Sequence, residues 1–429
     1  MIGKIRTLFR RFMQADIVKV FSLMSVSTLV RMLTGLVSVK VVASIIGPAG
    51  VALVGQLQNF STMAMQLASG GISSGITKYV AEYRTNQERV RSYISMALRI
   101  TTACSLSVGL VMIVLHRYLS EWIMLSPEYG YVFFIFGFTI LLYALNSMLI
   151  SVVNGFKEFG RYVRISIANS LVGLVFTVTF AVTMGLRGAL ISSVTYQSVM
   201  LFVTLGMIRN LPWMERSVLR EKFNRIIAKD YFKYSLMALT SAAVVPVSQM
   251  LLRGYVITKI SPVEAGWWEG MNRISNMYLM VITQSFGVYL TPKLSELNNR
   301  RELRKEIFKT YRVVVPMMLA GFVLIYLLRF VVIRVLYTPE FLPMSNLFGW
   351  QLTGDFFKVC SYLLVSLMVA KSMTKKFITT EIIFSFLYVG LGLLFVRYSN
   401  SVVGLTQAYL LNYILYSACM FFLFRKIIL

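Results

Sequence analysis

Two short patterns in this 429-residue chain place ionisable side chains at helical spacing inside otherwise apolar sequence. Gln351, Asp355, Lys358 and Tyr362 step by four, three and four. Glu269, Arg273 and Asn276 step by four and three, so each set lies along one helix face. Gln249 and Arg253 share a face in the same way, while Arg31 and Lys40 lie nine residues apart, half a turn out of phase. A charge at membrane depth costs roughly 2.5–3.5 kcal/mol on insertion scales, so such groups normally meet a partner or a wet cavity. Arg31, Lys40 and Arg253 have no opposite charge within four residues of sequence and read as cavity cations. Asp355 with Lys358, and Glu269 with Arg273, read either as cavity groups or as internal ion pairs joining helices.

The chemistry such a set could perform is anion binding. Cations outnumber acids, a diphosphate would supply compensating charge, and arginine grips phosphate oxygens in pairs. At an effective dielectric of ~20 one unit pair at ~4 Å gains ~4 kcal/mol, so two such contacts offset much of a diphosphate's desolvation. The candidate substrate-binding residues are therefore Arg31, Lys40, Arg253, Arg273 and Lys358, with Asp355 and Glu269 as coupling or positioning groups. Nothing in the chain suggests catalysis. His116 is the single histidine and sits at a helix end, which leaves no Ser/His/Asp or Cys/His arrangement. Cys104, Cys360 and Cys419 are widely spaced within apolar segments and suggest neither a disulfide framework nor a zinc site. No cofactor or metal is called for.

The elements that must position these groups are membrane helices. The chain is 57% hydrophobic and 14% charged, with a mean hydropathy of +0.71, whereas a soluble domain is about 25% charged. Apolar stretches close to the ~20 residues that cross a bilayer recur near 17–46, 51–80, 93–116, 131–155, 165–186, 189–208, 232–258, 267–291, 311–336, 344–370, 377–398 and 402–424. The expected fold is all-α and polytopic, about twelve transmembrane helices in two pseudo-symmetric six-helix bundles. Its parts are a basic cytoplasmic leader (1–16), an N-terminal bundle (17–208), a cytoplasmic linker (209–231) and a C-terminal bundle (232–429).

A net charge of +26 could suggest nucleic acid, but the basic residues alternate with the spans. They crowd at Lys4–Arg11, Arg84–Arg91, Lys157–Arg164, Arg209–Lys233, Lys293–Arg312, Lys371–Lys376 and Arg425–Lys426, and the intervening loops are nearly bare. This is the positive-inside pattern, with both termini cytoplasmic. Lys78, Arg99, Arg329 and Arg334 read as snorkelling anchors at helix ends.

The halves carry a weak internal echo. Phe21-Ser22-Leu23-Met24 opens the first span and Tyr234-Ser235-Leu236-Met237 the seventh. Lys40 and Arg253 each follow the opening aromatic by 19 residues (40 − 21 and 253 − 234). Parallel repeats of this kind place a transported ligand at their interface. Gln58, Thr62, Gln66, Ser69 and Ser73 draw an uncharged polar stripe on the second helix. Gln56, Asn59, Asn146, Asn154, Tyr289, Trp267, Trp268 and Trp350 are candidate surfaces for a sugar chain. Bending is expected at the Ser69–Gly75 small-residue run, Pro246 and Pro316.

Ser27-Thr28-Leu29-Val30-Arg31 with Lys40, Gly47-Pro48-Ala49-Gly50, and Gly75-Ile76-Thr77-Lys78-Tyr79-Val80 resemble the opening of the Wzx-type flippases. These belong to the polysaccharide transporter branch of the multidrug/oligosaccharidyl-lipid/polysaccharide exporter superfamily. Ser235–Leu239 with Pro246 and Arg253, Tyr289-Leu290-Thr291-Pro292 with Leu294-Ser295, and Trp350–Asp355 with Lys358 extend the resemblance over nearly the whole chain. It implies two six-helix bundles, a cationic cavity and alternating access. The implied activity moves an undecaprenyl-diphosphate-linked oligosaccharide, the enterobacterial common antigen unit lipid III or an O-antigen unit, from the cytoplasmic to the periplasmic leaflet of the inner membrane. The implied partners are that glycolipid, membrane lipids, and the glycan polymerase and chain-length regulator proteins of lipopolysaccharide biosynthesis. Glu269 departs from the resemblance, being acidic where a neutral glutamine is expected. A cation-coupled multidrug exporter of the same fold should favour acidic cavity groups, and a membrane-embedded glycan polymerase or ligase should carry a large outer loop. A non-transporting scaffold gives no reason for the polar stripes.

Overall fold

The computed structural model describes residues 16–211, 213, 221, 224–286, 290–297, 299–371 and 373–428. Apart from Asp16 the expected basic leader lies outside them, as do Tyr289 and ten residues of the expected linker (212, 214–220, 222 and 223). The described residues are helical nearly throughout. Asp16–Ala68 is two helices, α1 (16–46) and α2 (48–68), joined across Gly47. They are followed by α3 (Ser73–Tyr83), α4 (Gln87–Val114), α5 (His116–Met124) and α6 (Gly130–Gly155). Phe159–Ile208 is again two helices, α7 (159–184) and α8 (186–208), meeting at Gly185. Then come α9 (Arg225–Lys259), α10 (Pro262–Ser285), α11 (Thr291–Glu296), α12 (Arg300–Leu327), α13 (Arg329–Leu336), α14 (Phe348–Ala370), α15 (Thr374–Ser399) and α16 (Val403–Ile428).

Hydropathy explains why these segments are helices of this length, since a bilayer offers no water to unpaired backbone groups. Eight continuous helical stretches are long and apolar enough to cross a membrane, two of them the kinked pairs of 45 and 50 residues. Counting each kinked pair as two, and adding α9 and α10, gives twelve long helices among the described residues. α10 is less apolar than those eight because it carries Glu264, Glu269 and Arg273. Large apolar side chains such as Phe386, Leu394, Leu327 and Val175 are exposed, as a lipid-facing surface requires.

The chain forms two compact units, 1–42 with 61–239, and 43–60 with 240–429. The first is built on a core of Ile72, Ile76, Val80, Ile94, Met148, Val152 and Ile165, closed by Tyr79, Tyr93 and Tyr231. Those tyrosines pack ring to ring, Tyr79 and Tyr93 with centroids 4.8 Å apart. The second unit centres on Trp268, Tyr337, Phe341 and Phe348. The boundaries differ from the expected 17–208 and 232–429 in two places. The segment 43–60 belongs to the second unit, and the chain re-enters that unit at Thr240, inside α9. α9 also begins at Arg225, within the expected linker, where Asn224 accepts a hydrogen bond from the Ile226 amide (2.9 Å).

Local chemistry sets the bends. Gly47 has φ 63° and ψ −175°, a conformation essentially confined to glycine, and the following Pro48 removes a backbone donor. The polar stripe expected from Gln58 to Ser73 does not lie on one helix, because α2 ends at Ala68 and Gly70 and Gly71 turn the chain with positive φ. Pro246 and Pro316 lie inside α9 and α12.

Replacing Gly47 with valine should destabilise the purified protein by ~1–3 kcal/mol, seen as a lower thermal midpoint in detergent. Gly206→Ala, where a methyl group meets nothing within 4 Å, should leave the midpoint unchanged or raise it.

Candidate functional site

The second unit holds two polar centres, both built against α10. Along that helix Glu269 and Arg273 lie within roughly 40° of each other, whereas Ser275 and Tyr278 point roughly 120–180° away from Glu269 at about 100° per residue. One face therefore serves each centre.

At the first centre two guanidinium groups share one carboxylate. Arg253 of α9 donates through one terminal nitrogen to Glu269 Oε2 (2.5 Å) and through the other to Gln56 Oε1 (3.1 Å). Arg273 donates from Nε to Glu269 Oε1 (2.9 Å) and from a terminal nitrogen to Gln58 Oε1 (3.4 Å). Gln56 in turn donates to the Met250 carbonyl (3.1 Å), and Arg253 stacks over Trp268 at 5.3 Å. Exposure separates the two cations, with the Arg253 side chain 1% exposed and the Arg273 side chain 17%. Arg253 is thus a buried tie, and Arg273 is the partner that reaches open space.

This centre depends on bare backbone at Gly55 and Gly266. A Cβ on Gly55 would meet Glu269 Cδ at 2.4 Å, and one on Gly266 would lie 2.0 Å from the Pro48 carbonyl oxygen. The start of α2 and the first turns of α10 consequently touch with almost nothing between them. Trp267 adds a hydrogen bond to the Glu340 carbonyl (2.9 Å), and the Glu340 carboxylate lies beside Gly47.

At the second centre Asp355 of α14 is fully buried and accepts three hydroxyl hydrogen bonds. Ser275 (2.6 Å) and Tyr278 reach Oδ2, and Tyr409 of α16 reaches Oδ1 (2.7 Å). Lys358, one turn on, is half-buried and sits over the rings of Tyr409 (5.7 Å) and Tyr413 (5.4 Å). The spacing-based reading of Asp355 and Lys358 as a direct ion pair gives way to this arrangement, in which hydroxyls take the carboxylate and aromatic faces take the ammonium. Tyr388 of α15 packs edge-on against Tyr409, with ring centroids 5.8 Å apart.

The remaining two cations lie in the first unit. Val26, Leu29, Leu33 and Val37 form an exposed apolar stripe along α1. Arg31, also exposed, projects roughly 140° from Val26, away from the stripe. Lys40 projects roughly 40° from Val26, between Leu29 and Leu33 in angle and so on the stripe's own face, and is half-buried. The shared 19-residue offset of Lys40 and Arg253 does not give them like surroundings, since Arg253 is enclosed and Lys40 is not.

Several candidate sugar contacts are structural. Asn146 is buried and accepts from Thr204 (2.7 Å), Trp268 packs under Arg253, and Gln56 is held by Arg253. Trp350, 42% exposed, keeps an open face. The residues that periodicity missed are the hydroxyls of Tyr278, Tyr409 and Tyr413, and Tyr388. The four-residue step from Tyr409 to Tyr413 on the last helix was the available signal. Among the described residues no three His, Cys, Asp or Glu side chains gather to hold a metal ion, and the three cysteines are free thiols.

A helical fold with charged clusters inside apolar helices defines a multi-pass membrane protein, and the solved structures of like fold share that architecture. An inward-facing multidrug resistance MATE family transporter of the MOP superfamily superposes with a TM-score of 0.78 at 14% identity, over 94% of this chain and 98% of that one. Its outward-facing counterpart gives 0.70 at 16% identity over 97% of both chains. A MOP superfamily transporter from Pyrococcus furiosus, described as having a binding pocket of reverse polarity, gives 0.72 at 14% identity over 96% and 95%.

The profile of the family described as Polysaccharide biosynthesis protein matches residues 17–298, and the chain belongs to that Wzx-type family of transporters. It is 30% identical over 405 residues to the Lipid III flippase of Escherichia coli K12, covering 93% of this chain and 97% of the relative. The Lipid III flippase of Shigella flexneri matches to the same extent.

Removing Glu269 alone, as Glu269→Leu, leaves Arg253 buried without its counter-charge and should cost ~3–5 kcal/mol of stability. The double variant Arg253→Met/Glu269→Leu should recover most of that loss. Thermal unfolding of the two variants beside the wild type measures the coupling.

Proposed function

We propose that this protein is a flippase that carries an undecaprenyl-diphosphate-linked oligosaccharide from the cytoplasmic to the periplasmic leaflet of the bacterial inner membrane by alternating access. The observation that carries this reading is the unequal charge count at the first centre. Two guanidinium groups meet a single carboxylate, which leaves a net positive charge at membrane depth with Arg273 on its open side. A cationic drug would be repelled there, whereas a diphosphate supplies the missing negative charge. The 30% identity to the lipid III flippases supports the same ligand class, and lipid III and an O-antigen unit are the two substrates proposed.

In this reading Arg273 and Lys358 contact the head group, and Arg253 fixes Glu269. Asp355, held by three hydroxyls, positions Lys358 or couples transport to an ion. The basic loops place both termini in the cytoplasm.

Arg273→Ala and Lys358→Ala, inserted at normal levels, should each slow translocation roughly tenfold or more, the equivalent of about 1.5 kcal/mol for one charge-assisted contact. The readout is accumulation of radiolabelled polyprenyl-linked sugar on the cytoplasmic side in cells lacking the chromosomal copy. Unimpaired transport in both variants would remove the cationic site from the mechanism. Which labelled glycolipid accumulates separates lipid III from an O-antigen unit.

A further inference from the structure

The segment 43–60 is tied into the second unit by side chains that also form the proposed anion site. The chain leaves the first unit after Val42 and returns to it at Ser61. Both exits fall inside helices, α1 and α2, and neither coincides with a loop. Segment 43–60 is therefore held in the second unit by its contacts with α9 and α10. Besides the Gln56 bond to the Met250 carbonyl, four contacts resist detachment: Gln56 with Arg253, Gln58 with Arg273, Gly55 against Glu269, and Pro48 against Gly266.

Three of the four run through Glu269 or its two arginines. The Glu269 carboxylate bridges Arg253 and Arg273 with one short contact to each, 2.5 and 2.9 Å, as two oxygens of a phosphate could. Gln58 is the weakest link, at 3.4 Å to the more exposed arginine. A phosphate arriving at Arg273 competes first with Gln58 and then with Glu269. It thereby loosens the side chains that hold α2.

Resting on the diphosphate reading above, we infer that Glu269 is a built-in competitor for the ligand's phosphate. Its displacement from Arg273 and Arg253 releases segment 43–60 from α9 and α10, so ligand occupancy and the unlatching of α2 are one event. Glu269 is a positioning residue in this scheme and takes no covalent part.

The test uses the full-length wild type in lipid nanodiscs with undecaprenyl diphosphate as probe and undecaprenol as the phosphate-free comparison. Binding is read by native mass spectrometry and amide hydrogen exchange is followed over 48–60. The expected result is exchange at least about threefold faster across 48–60 with saturating undecaprenyl diphosphate and no change with undecaprenol. Gln58→Leu, which removes one link and leaves the ion pairs, should speed the same amides without any probe. Glu269→Gln should bind undecaprenyl diphosphate severalfold tighter than wild type, because the competing anion is gone; weaker binding by this variant overturns the competition. Probe bound to wild type with unchanged exchange over 48–60 overturns the latch and leaves the flippase reading standing. Failure of undecaprenyl diphosphate to bind wild type at all overturns the reading beneath it.

Discussion

A carboxylate shared between two arginines, most of it out of reach of water, is the interaction around which the second unit is arranged. Taking three charged groups from water into an apolar bundle is costly unless each finds partners at once, and here the partners come from three helices. Arg253 arrives from α9, Glu269 and Arg273 from α10, and the glutamines from α2. Close approach of all three requires backbone with no side chain at Gly55 and Gly266, so the electrostatics and the packing constrain one another. The positive excess that results is what suits the site to an anionic head group.

Asp355 illustrates the opposite solution. It too is buried, yet three hydroxyls surround it in place of a guanidinium, which leaves Lys358 to settle on tyrosine rings. An aromatic face binds an ammonium without neutralising it, so the lysine keeps its charge for a ligand while its position is fixed. Tyr388 packs edge-on against Tyr409 and so backs one of the three hydroxyls around Asp355. The two carboxylates divide the work: Glu269 competes for cations, and Asp355 organises hydroxyls.

Much of the fold is legible in the sequence because a membrane imposes one length and one polarity on every span. Expected spans such as 131–155 and 344–370 correspond closely to Gly130–Gly155 and Phe348–Ala370, the sharp bend at Gly47 falls between expected helices, and the one at Gly185 falls inside the expected span 165–186, next to its last residue. The polar stripes on α10 and α14 were legible for the same reason, since helical period alone brings Glu269 beside Arg273. Contacts between helices were not. Nothing in local spacing links Arg253 to Glu269 sixteen residues on, or to Gln56 on a helix from the other half of the chain. Tyrosine also hides its chemistry in a hydropathy count, because its ring passes as apolar while its hydroxyl completes the shell of Asp355. The docking of 43–60 escaped for a related reason: a hydrophobic run shows that a helix exists but not which neighbours it keeps.

That docking bears on how the protein is made. Gln56 is 197 residues ahead of Arg253 in the chain. At roughly 5–20 residues per second of synthesis its partner emerges some 10–40 seconds later. In that interval α1 through α8 can be made, while segment 43–60 stays without its final neighbours. Maturation of this half therefore ends only when α9 and α10 enter the bilayer and reach back for a segment inserted long before them.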